Sequence, residues 1–262
     1  MTVPFDHAHY SAELHTALRT RVPVPPLLGR EPNMTLEDAY RVSLGILARR
    51  EAEGERVVGK KIGLTSRAVQ EMLKVDQPDY GFLTDSMRYR EGDPVPVSKI
   101  LIQPKAEGEI AFVLKRDLAG PGVTPADVIA ATEGVAVCFE IVDSRVQDWK
   151  IAIQDTIADN ASSGLFVVSE NLVSIHAVDL VTCGMVVWKN GEIISTGAGA
   201  AALGSPVNCM TWLANALGRH GVALRAGEVI LSGSLVPLIP ITAGDEMEVA
   251  VGGLGRLKVG FV

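Results

Sequence analysis

Two glutamates lie two residues apart within an apolar segment, and this pair constrains the fold more than any other feature of the chain. Residues 103–114 read QPKAEGEIAFVL, and Glu107 and Glu109 stand near its centre. The apolar residues predict a β-strand, and because strand side chains alternate between two faces, both carboxylates point to the same side. Two like charges beside a core are unfavourable unless a positive group lies between them. A metal ion is the first candidate for that group.

A third glutamate, Glu140, lies in another apolar segment, residues 136–145, which read AVCFEIVDSR. An unpaired carboxylate in such a segment would be expelled from the core. The residues leave three explanations open: a metal ligand, an ion pair with Arg145 or a lysine, and a position at a strand edge. Three glutamates would offer only oxygen donors, which suit Mg²⁺, Mn²⁺ or Ca²⁺ and disfavour zinc or copper.

Two further groups of polar residues are ambiguous when taken alone. Lys60 and Lys61 lie in a predicted strand, so one of them faces inwards and needs a carboxylate or a substrate anion; otherwise such a pair is typical of surface charge. Asp79, in the string QPDYG, is typical of a turn. Residues 155–164 are polar and small, which fits a surface loop or a pocket wall. Ser162 has no nearby histidine that would activate its hydroxyl.

Composition excludes several classes of protein. The net charge of −7 argues against nucleic-acid binding, which needs a basic surface. No window approaches the ~18 apolar residues of a membrane span, and the N-terminus lacks the features of a signal peptide. The three cysteines are widely spaced in apolar contexts, which predicts buried reduced thiols. We therefore expect a cytoplasmic protein that binds neither nucleic acid nor membranes.

Secondary-structure signals divide the chain into two parts. Helical spacing dominates the first ~55 residues, with Thr35 as an expected N-cap, and a short helix is predicted from Ser66 to Leu73. From about residue 100, short strands alternate with turns, apart from helices expected to begin at Thr124-Pro125 and Ser205-Pro206. We predict an α+β protein with a mainly helical part (1–75) and a β-rich body (76–262), integrated into one domain.

Four strings in this order resemble one known family: KIGLTS at 61–66, EGE at 107–109, EIVDSR at 140–145 and ADNAS at 158–162. The chain resembles the 2-hydroxypenta-2,4-dienoate (2-oxopent-4-enoate) hydratases of the fumarylacetoacetate hydrolase superfamily. The resemblance covers about residues 35–262. It implies a mixed β-sandwich roll of the fumarylacetoacetate hydrolase type, a bound Mg²⁺ or Mn²⁺, and a homo-oligomer, often a decamer. The metal carboxylates of the family map onto Glu107, Glu109 and Glu140.

The resemblance also implies roles for four other residues. The KIGLTS string fixes the active-site lysine as Lys61 rather than Lys60. Asp79 and Ser162 match positions that line the substrate pocket of the family, and Leu64 is expected to contact substrate. Asp79 is the candidate for general base towards water or for proton transfer. Lys61 would bind the substrate carboxylate or carry a proton, and these two roles are exchangeable at this stage.

The implied activity is metal-dependent hydration of 2-hydroxypenta-2,4-dienoate to 4-hydroxy-2-oxopentanoate in meta-cleavage degradation of aromatic compounds. The alternative within the same branch is 4-oxalocrotonate decarboxylase, where we expect an apolar residue at the position of Asp79. A second alternative is a non-catalytic partner subunit of the same pathway. An association with a decarboxylase or aldolase of that pathway is also implied.

Overall fold

The computed structural model describes residues 5–67, 70–71 and 75–262, and its first elements are three helices. They are α1 (His7–Thr20), α2 (Leu27–Arg30) and α3 (Leu36–Ala52). The Thr35 hydroxyl accepts a hydrogen bond from the Asp38 N–H, and the Asp38 carboxylate accepts one from the Thr35 N–H. This reciprocal cap confirms the predicted start of α3. The predicted helix from Ser66 to Leu73 extends outside the described residues.

The β-rich body follows, and its strands form two sheets. In chain order the strands of the described residues are β1 (Val57–Gly63), β2 (Asp79–Thr84), β3 (Arg88–Tyr89), β4 (Lys105–Leu114), β5 (Thr132–Val142), β6 (Ser163–Val168), β7 (Gly184–Lys189), β8 (Glu192–Ala198), β9 (Val229–Leu231), β10 (Ile239–Pro240), β11 (Glu246–Val251) and β12 (Gly255–Gly260). The larger, mixed sheet has the order β2-β1-β9-β4-β5-β6-β3, with β10 paired to β4. The smaller sheet has the order β12-β11-β7-β8.

Further helices with bounds inside the described ranges lie between these strands: α4 (Val97–Ile100), α5 (Pro125–Ala131), α6 (Ile153–Ala158) and α7 (Pro206–Gly218). Thr124 caps α5 and Ser205 caps α7, and a proline follows each cap, which confirms both predicted helix starts. The α+β composition predicted from the sequence is therefore confirmed. The division of the chain at about residue 75 stays a prediction. The strand β1, which precedes that point, belongs to the larger sheet.

The main core lies between the two sheets and covers one face of the larger sheet. Fully buried side chains such as Phe112 and Phe139 meet Val187 and Met247 of the smaller sheet there. A second apolar cluster, which includes Phe166 and Leu231, lies on the opposite face of the larger sheet. The helices α1–α3 pack with α6 around a third cluster. Both faces of the larger sheet are thus covered.

The larger sheet is rolled, so that β2 at one end of the order approaches β6. A Cβ at Gly81 would lie 2.6 Å from the Asn160 carbonyl oxygen, which only glycine permits. The Asn160 side chain accepts a hydrogen bond from the Phe82 N–H (2.8 Å) and donates one to the Phe82 carbonyl (2.9 Å). Asn160 therefore replaces a neighbouring strand along the open edge of β2.

Two local interpretations of the sequence, Asp79 in a turn and the lysine pair as surface charge, are wrong. Asp79 does not lie in a turn but begins β2, because it pairs with Gly63 of β1. Lys60 and Lys61 are not surface charges: both are buried, on opposite faces of β1, because both faces of the sheet are covered. Lys60 pairs with Glu228, at 2.5 and 2.6 Å. Within the described ranges, no helix is long and apolar enough to cross a membrane.

Candidate metal centre and active site

Antiparallel pairing of β4 with β5 brings the three glutamates together. Glu107 lies directly opposite Glu140, and Glu109 lies opposite Cys138, which is two residues before Glu140 on β5. All three side chains are on the same face of the sheet, since positions two apart on a strand share a face. One carboxylate oxygen from each glutamate lies within 4.8 Å of the other two. The predicted cluster of Glu107, Glu109 and Glu140 therefore exists in the fold.

The cluster is buried and short of hydrogen-bond donors. Glu109 and Glu140 are 0% exposed, whereas Glu107 is partly exposed and marks the open side. The Gly233 N–H donates to Glu109 Oε2 at 2.8 Å. Among the described residues, Glu109 Oε1 and Glu140 Oε2 have no hydrogen-bond partner. Buried unpartnered oxygens are costly, so these atoms indicate that a positively charged group belongs between them.

The pKa values reflect the same crowding. Burial and the charge of Glu140 raise the pKa of Glu107 to about 8, although Lys61 and Lys105 act in the opposite direction. Burial and the charges of Glu140 and Glu107 raise the pKa of Glu109 well above its ordinary value. Burial also raises the pKa of Glu140, against the effect of Lys61. A bound cation would relieve this repulsion and favour the ionised carboxylates.

Lys61 is the buried cation next to the cluster. Its Nζ lies 3.2 Å from Glu140 Oε1. Burial acts to lower the pKa of Lys61, but Glu140 and the neighbouring carboxylates outweigh it, so the pKa is raised and the ammonium stays charged at neutral pH. Arg145 pairs instead with Asp159, and Glu140 lies on β5 between two neighbouring strands. Of the three explanations for Glu140, the edge position and the pair with Arg145 are thus excluded.

Asp79 faces Lys61 across the β1–β2 pair. A Cβ at Gly63 would lie 2.3 Å from Asp79 Oδ1 and 3.4 Å from Lys61 Nζ, so glycine at position 63 makes room for both groups. Burial raises the pKa of Asp79, although Lys61 and the Gly63 N–H act in the opposite direction. Asp79 Oδ1 has no hydrogen-bond partner within the described part of the chain. Asp79 Oδ1 is therefore a buried hydrogen-bond acceptor without a donor among the described residues, and it lies near the carboxylate cluster.

The two other predicted site residues are held by local contacts. Leu64 follows β1 with a positive φ of 55°, and its carbonyl accepts a hydrogen bond from the Gln70 side chain. The Ser162 hydroxyl lies 3.2 Å from the Thr156 hydroxyl. No hydrogen bond within the described ranges joins either residue to the glutamate cluster. Their contact with substrate stays a prediction.

Sequence reasoning missed the residues that support the site. Asp159 accepts hydrogen bonds from the Arg145 N–H and guanidinium, and Asp143 accepts bonds from the N–H groups of Ile102 and Gln103. These contacts fix the chain where β4 begins and β5 ends, which is one end of the paired strands. The signal was present in the polar residues of the EIVDSR and ADNAS strings, but their partners lie too far away in sequence to be identified from spacing.

The donor set fits a hard divalent cation. Mg²⁺ and Ca²⁺ bind oxygen ligands at about 2.0–2.6 Å, so two ligands of one ion lie at most about 5 Å apart. The spread of 4.8 Å among the three glutamates meets that limit. Within the described residues, the cluster contains no histidine or cysteine ligand, which disfavours zinc and copper.

Together, the observations describe an α+β protein in which three carboxylates, suited to a divalent cation, converge on one face of a rolled sheet. The family model described as fumarylacetoacetate (FAA) hydrolase C-terminal matches residues 53–262. The chain belongs to the fumarylacetoacetate hydrolase family. The predicted architecture, a roll of this type with helices alongside, is confirmed.

Individual relatives match most or all of the chain. A 2-hydroxypent-2,4-dienoate hydratase of Pseudomonas putida is 65% identical over 211 residues, which are 80% of this chain and 95% of that protein. A 2-hydroxyhexa-2,4-dienoate hydratase of Comamonas testosteroni is 55% identical over 249 residues, which are 95% of this chain and 94% of that protein. The solved 4-oxalocrotonate decarboxylase of Pseudomonas putida G7, complexed with magnesium and adipate, is 38% identical with a TM-score of 0.95, covering 100% of both chains.

Proposed function

We propose that the protein hydrates 2-hydroxypenta-2,4-dienoate to 4-hydroxy-2-oxopentanoate, with Mg²⁺ or Mn²⁺ held by Glu107, Glu109 and Glu140. The observation that carries the proposal is the convergence of these carboxylates with Lys61 and Asp79 at one site. The similarity to hydratases of such dienoates at 55–65% identity supports the same activity. This reaction belongs to the meta-cleavage degradation of aromatic compounds.

The metal and Lys61 both act on the acidic end of the substrate. When bound, such a cation polarises the 2-oxygen of a 2-oxo acid and stabilises the negative charge that develops there. Lys61 carries three donors and no acceptor, so it binds an oxygen of the substrate rather than removing a proton. Its contact with Glu140 orients the ammonium beside the metal ligands.

Asp79 is the group that moves protons. The dienol loses its hydroxyl proton and gains one at C5, which gives a conjugated enone. Water then adds at C4, its proton passes to Asp79 Oδ1, and a proton is delivered to C3. A carboxylate with an unclaimed oxygen and a raised pKa suits both the acceptance and the return of a proton. We therefore propose proton transfer for Asp79 and substrate binding for Lys61, one of the two arrangements that the sequence left open.

The rival activity is decarboxylation of 4-oxalocrotonate. The solved decarboxylase shares the fold at 38% identity, whereas the two hydratases share 55–65%. The presence of Asp79 also favours hydration, since an apolar residue is expected there in the decarboxylase branch. A partner subunit without catalytic activity would not need a buried carboxylate oxygen without a hydrogen-bond donor, such as Asp79 Oδ1, beside the glutamates.

Product analysis separates these functions. Purified protein with Mg²⁺ is mixed with freshly generated 2-hydroxypenta-2,4-dienoate, and 4-hydroxy-2-oxopentanoate is quantified; a parallel reaction with 4-oxalocrotonate is followed for CO₂. We expect hydration and little CO₂. If CO₂ is released with a higher kcat/KM than that of hydration, the protein is a decarboxylase. If neither product forms, both enzymatic functions are contradicted.

The assembly and location of the protein are part of the same proposal. We expect a homo-oligomer, with a decamer as the form implied by the resemblance, in the cytoplasm. An association with a decarboxylase or aldolase of the pathway would pass the short dienoate or its product between sites. Light scattering on the purified protein, and co-purification with these enzymes, test the two expectations separately.

A further inference from the structure

Lys105 lies on the open side of the metal centre. It is the first residue of β4 and shares a face with Glu107 and Glu109, since positions two apart on a strand point the same way. Two strand steps place its Cα about 7 Å from that of Glu107. Because Glu107 is the partly exposed member of the cluster, Lys105 stands where the cluster meets solvent.

An aromatic ring holds the Lys105 side chain. Its Nζ lies 4.1 Å from the centroid of the Trp149 ring, a cation–π contact. The indole is itself fixed, since Trp149 Nε1–H donates to the Gln103 carbonyl at 2.9 Å. Within the described residues, the Lys105 ammonium forms no salt bridge. The positive charge is therefore positioned without being neutralised by a carboxylate contact.

The backbone that presents this ring is in an uncommon conformation. Asp148 and Trp149 have φ values of 58° and 55°, in the left-handed region. A bulky aromatic residue is rare there, and strained residues cluster at functional sites. With this backbone, the Trp149 indole lies against the start of β4, where it contacts Lys105 and Gln103.

The charges of the site explain why a second lysine is useful. With a divalent cation bound and their carboxylates ionised, Glu107, Glu109, Glu140 and Asp79 together carry one charge more than Lys61 and the cation. A substrate with its own carboxylate would therefore approach a site of net negative charge. Lys105 offsets that excess at the partly exposed end of the cluster, beside Glu107.

We propose that Lys105, positioned by Trp149, is a specificity-determining residue that attracts the anionic 2-oxo or 2-hydroxydienoate and holds it during binding. The inference rests on the proposed function for the identity of the anion. It assigns to Lys105 a role in binding and not in proton transfer. Trp149 acts as a positioning residue, because it touches the lysine and not the reacting atoms.

The test compares Lys105→Met with Lys115→Met. Lys115 is exposed just beyond the other end of β4, about 30 Å away, so its loss changes the net charge equally without affecting the site. Binding of 2-oxopentanoate is measured by calorimetry with Mg²⁺ at low and high ionic strength. This 2-oxo acid has no carbon–carbon double bond to which the enzyme could add water. KM and kcat for the dienoate are measured in parallel.

We expect Lys105→Met to weaken 2-oxopentanoate binding about threefold to tenfold at low salt and to raise KM similarly, with kcat little changed. The difference should shrink at 0.5 M salt, because exposed charges are then screened. Lys105→Arg should restore affinity, Trp149→Leu should weaken it less than Lys105→Met does, and Lys115→Met should match the wild type.

Two results would overturn the inference: wild-type affinity of Lys105→Met at low salt, or a loss that does not depend on salt. If Lys105→Met fails to fold, the salt dependence of Trp149→Leu and Lys105→Arg decides the question instead. If the wild type binds 2-oxopentanoate but hydrates no dienoate, the proposed function fails while the binding comparison still tests Lys105.

Discussion

At the scale of single residues, the carboxylates of the site fall into two groups. Glu107, Glu109 and Glu140 converge within 4.8 Å of one another, which suits a shared cation. Asp79 lies on a different strand, faces Lys61, and keeps one oxygen free. The same functional group therefore serves two purposes, and substitutions should separate them.

Asp79→Asn should abolish most hydration without removing the metal. An amide cannot accept a proton from water, and general acid–base catalysis contributes about 10²–10⁴ to a rate, so kcat should fall at least about 100-fold. Mg²⁺ affinity, measured by calorimetry, should stay within about threefold, since Asp79 is outside the ligand set. Asp93→Asn, at an exposed aspartate, is the control. A variant that retains both ketonisation and hydration would exclude Asp79 from catalysis.

Glu109→Gln should show the opposite pattern, in which metal binding is lost and the fold is kept. The glutamine carbonyl still accepts the Gly233 N–H, but one ligand charge is gone, so Mg²⁺ affinity should fall by more than the roughly 10–100-fold that outer partners of a metal cost. Without metal, the variant should be at least as stable to urea as the wild type, because like-charge repulsion is relieved. A stable variant with wild-type Mg²⁺ affinity would refute the ligand assignment.

At the scale of secondary-structure elements, one carboxylate ties the N-terminal helices to the end of β2. Burial acts to raise the pKa of Glu55, but hydrogen bonds from Ser86, Thr84, Arg19 and Arg50 outweigh it and lower the pKa to about 2. The folded-state pKa is thus below that of the unfolded chain. The resulting stability is present above about pH 4.5 and is lost as the pH falls towards 2.

Glu55→Gln should therefore destabilise the protein by about 1–3 kcal/mol at pH 7, the typical loss for bonds to a charged group. Urea unfolding at pH 7 and pH 3.5 should show that the deficit relative to wild type is smaller at the lower pH. Glu37→Gln is the control, because its pair with Arg41 is exposed and worth less than about 1 kcal/mol. An equal deficit at both pH values would contradict the assigned role of the carboxylate.

Elements with local signals were predictable, whereas their long-range partners were not. The caps of α3, α5 and α7 involve residues within three positions of each other, so spacing in the sequence was enough. The shared face of Glu107 and Glu109 also followed from alternation. The partner of Lys60 lies 168 residues away at Glu228, and no spacing rule links such residues.

At the scale of the whole molecule, the roll of the larger sheet creates the site. It brings β1 and β2, with Lys61 and Asp79, to the same face as the glutamates of β4 and β5. Asn160 closes the edge of β2, and this contact was not predictable, because it depends on the curvature of the whole sheet. The proposed reaction needs both the glutamates of β4 and β5 and the pair of Lys61 and Asp79 on β1 and β2.

Metal dependence links the carboxylate cluster to the proposed hydratase activity. The most direct measurement follows 4-hydroxy-2-oxopentanoate formation from 2-hydroxypenta-2,4-dienoate before chelation, after removal of metal, and after readdition of Mg²⁺ or Mn²⁺. Product formation is the readout, because the dienol also loses absorbance when it ketonises without an enzyme. We predict that chelated protein forms no product above background and that either ion restores it. Undiminished hydration by protein from which all metal has been removed would contradict the proposed metal dependence.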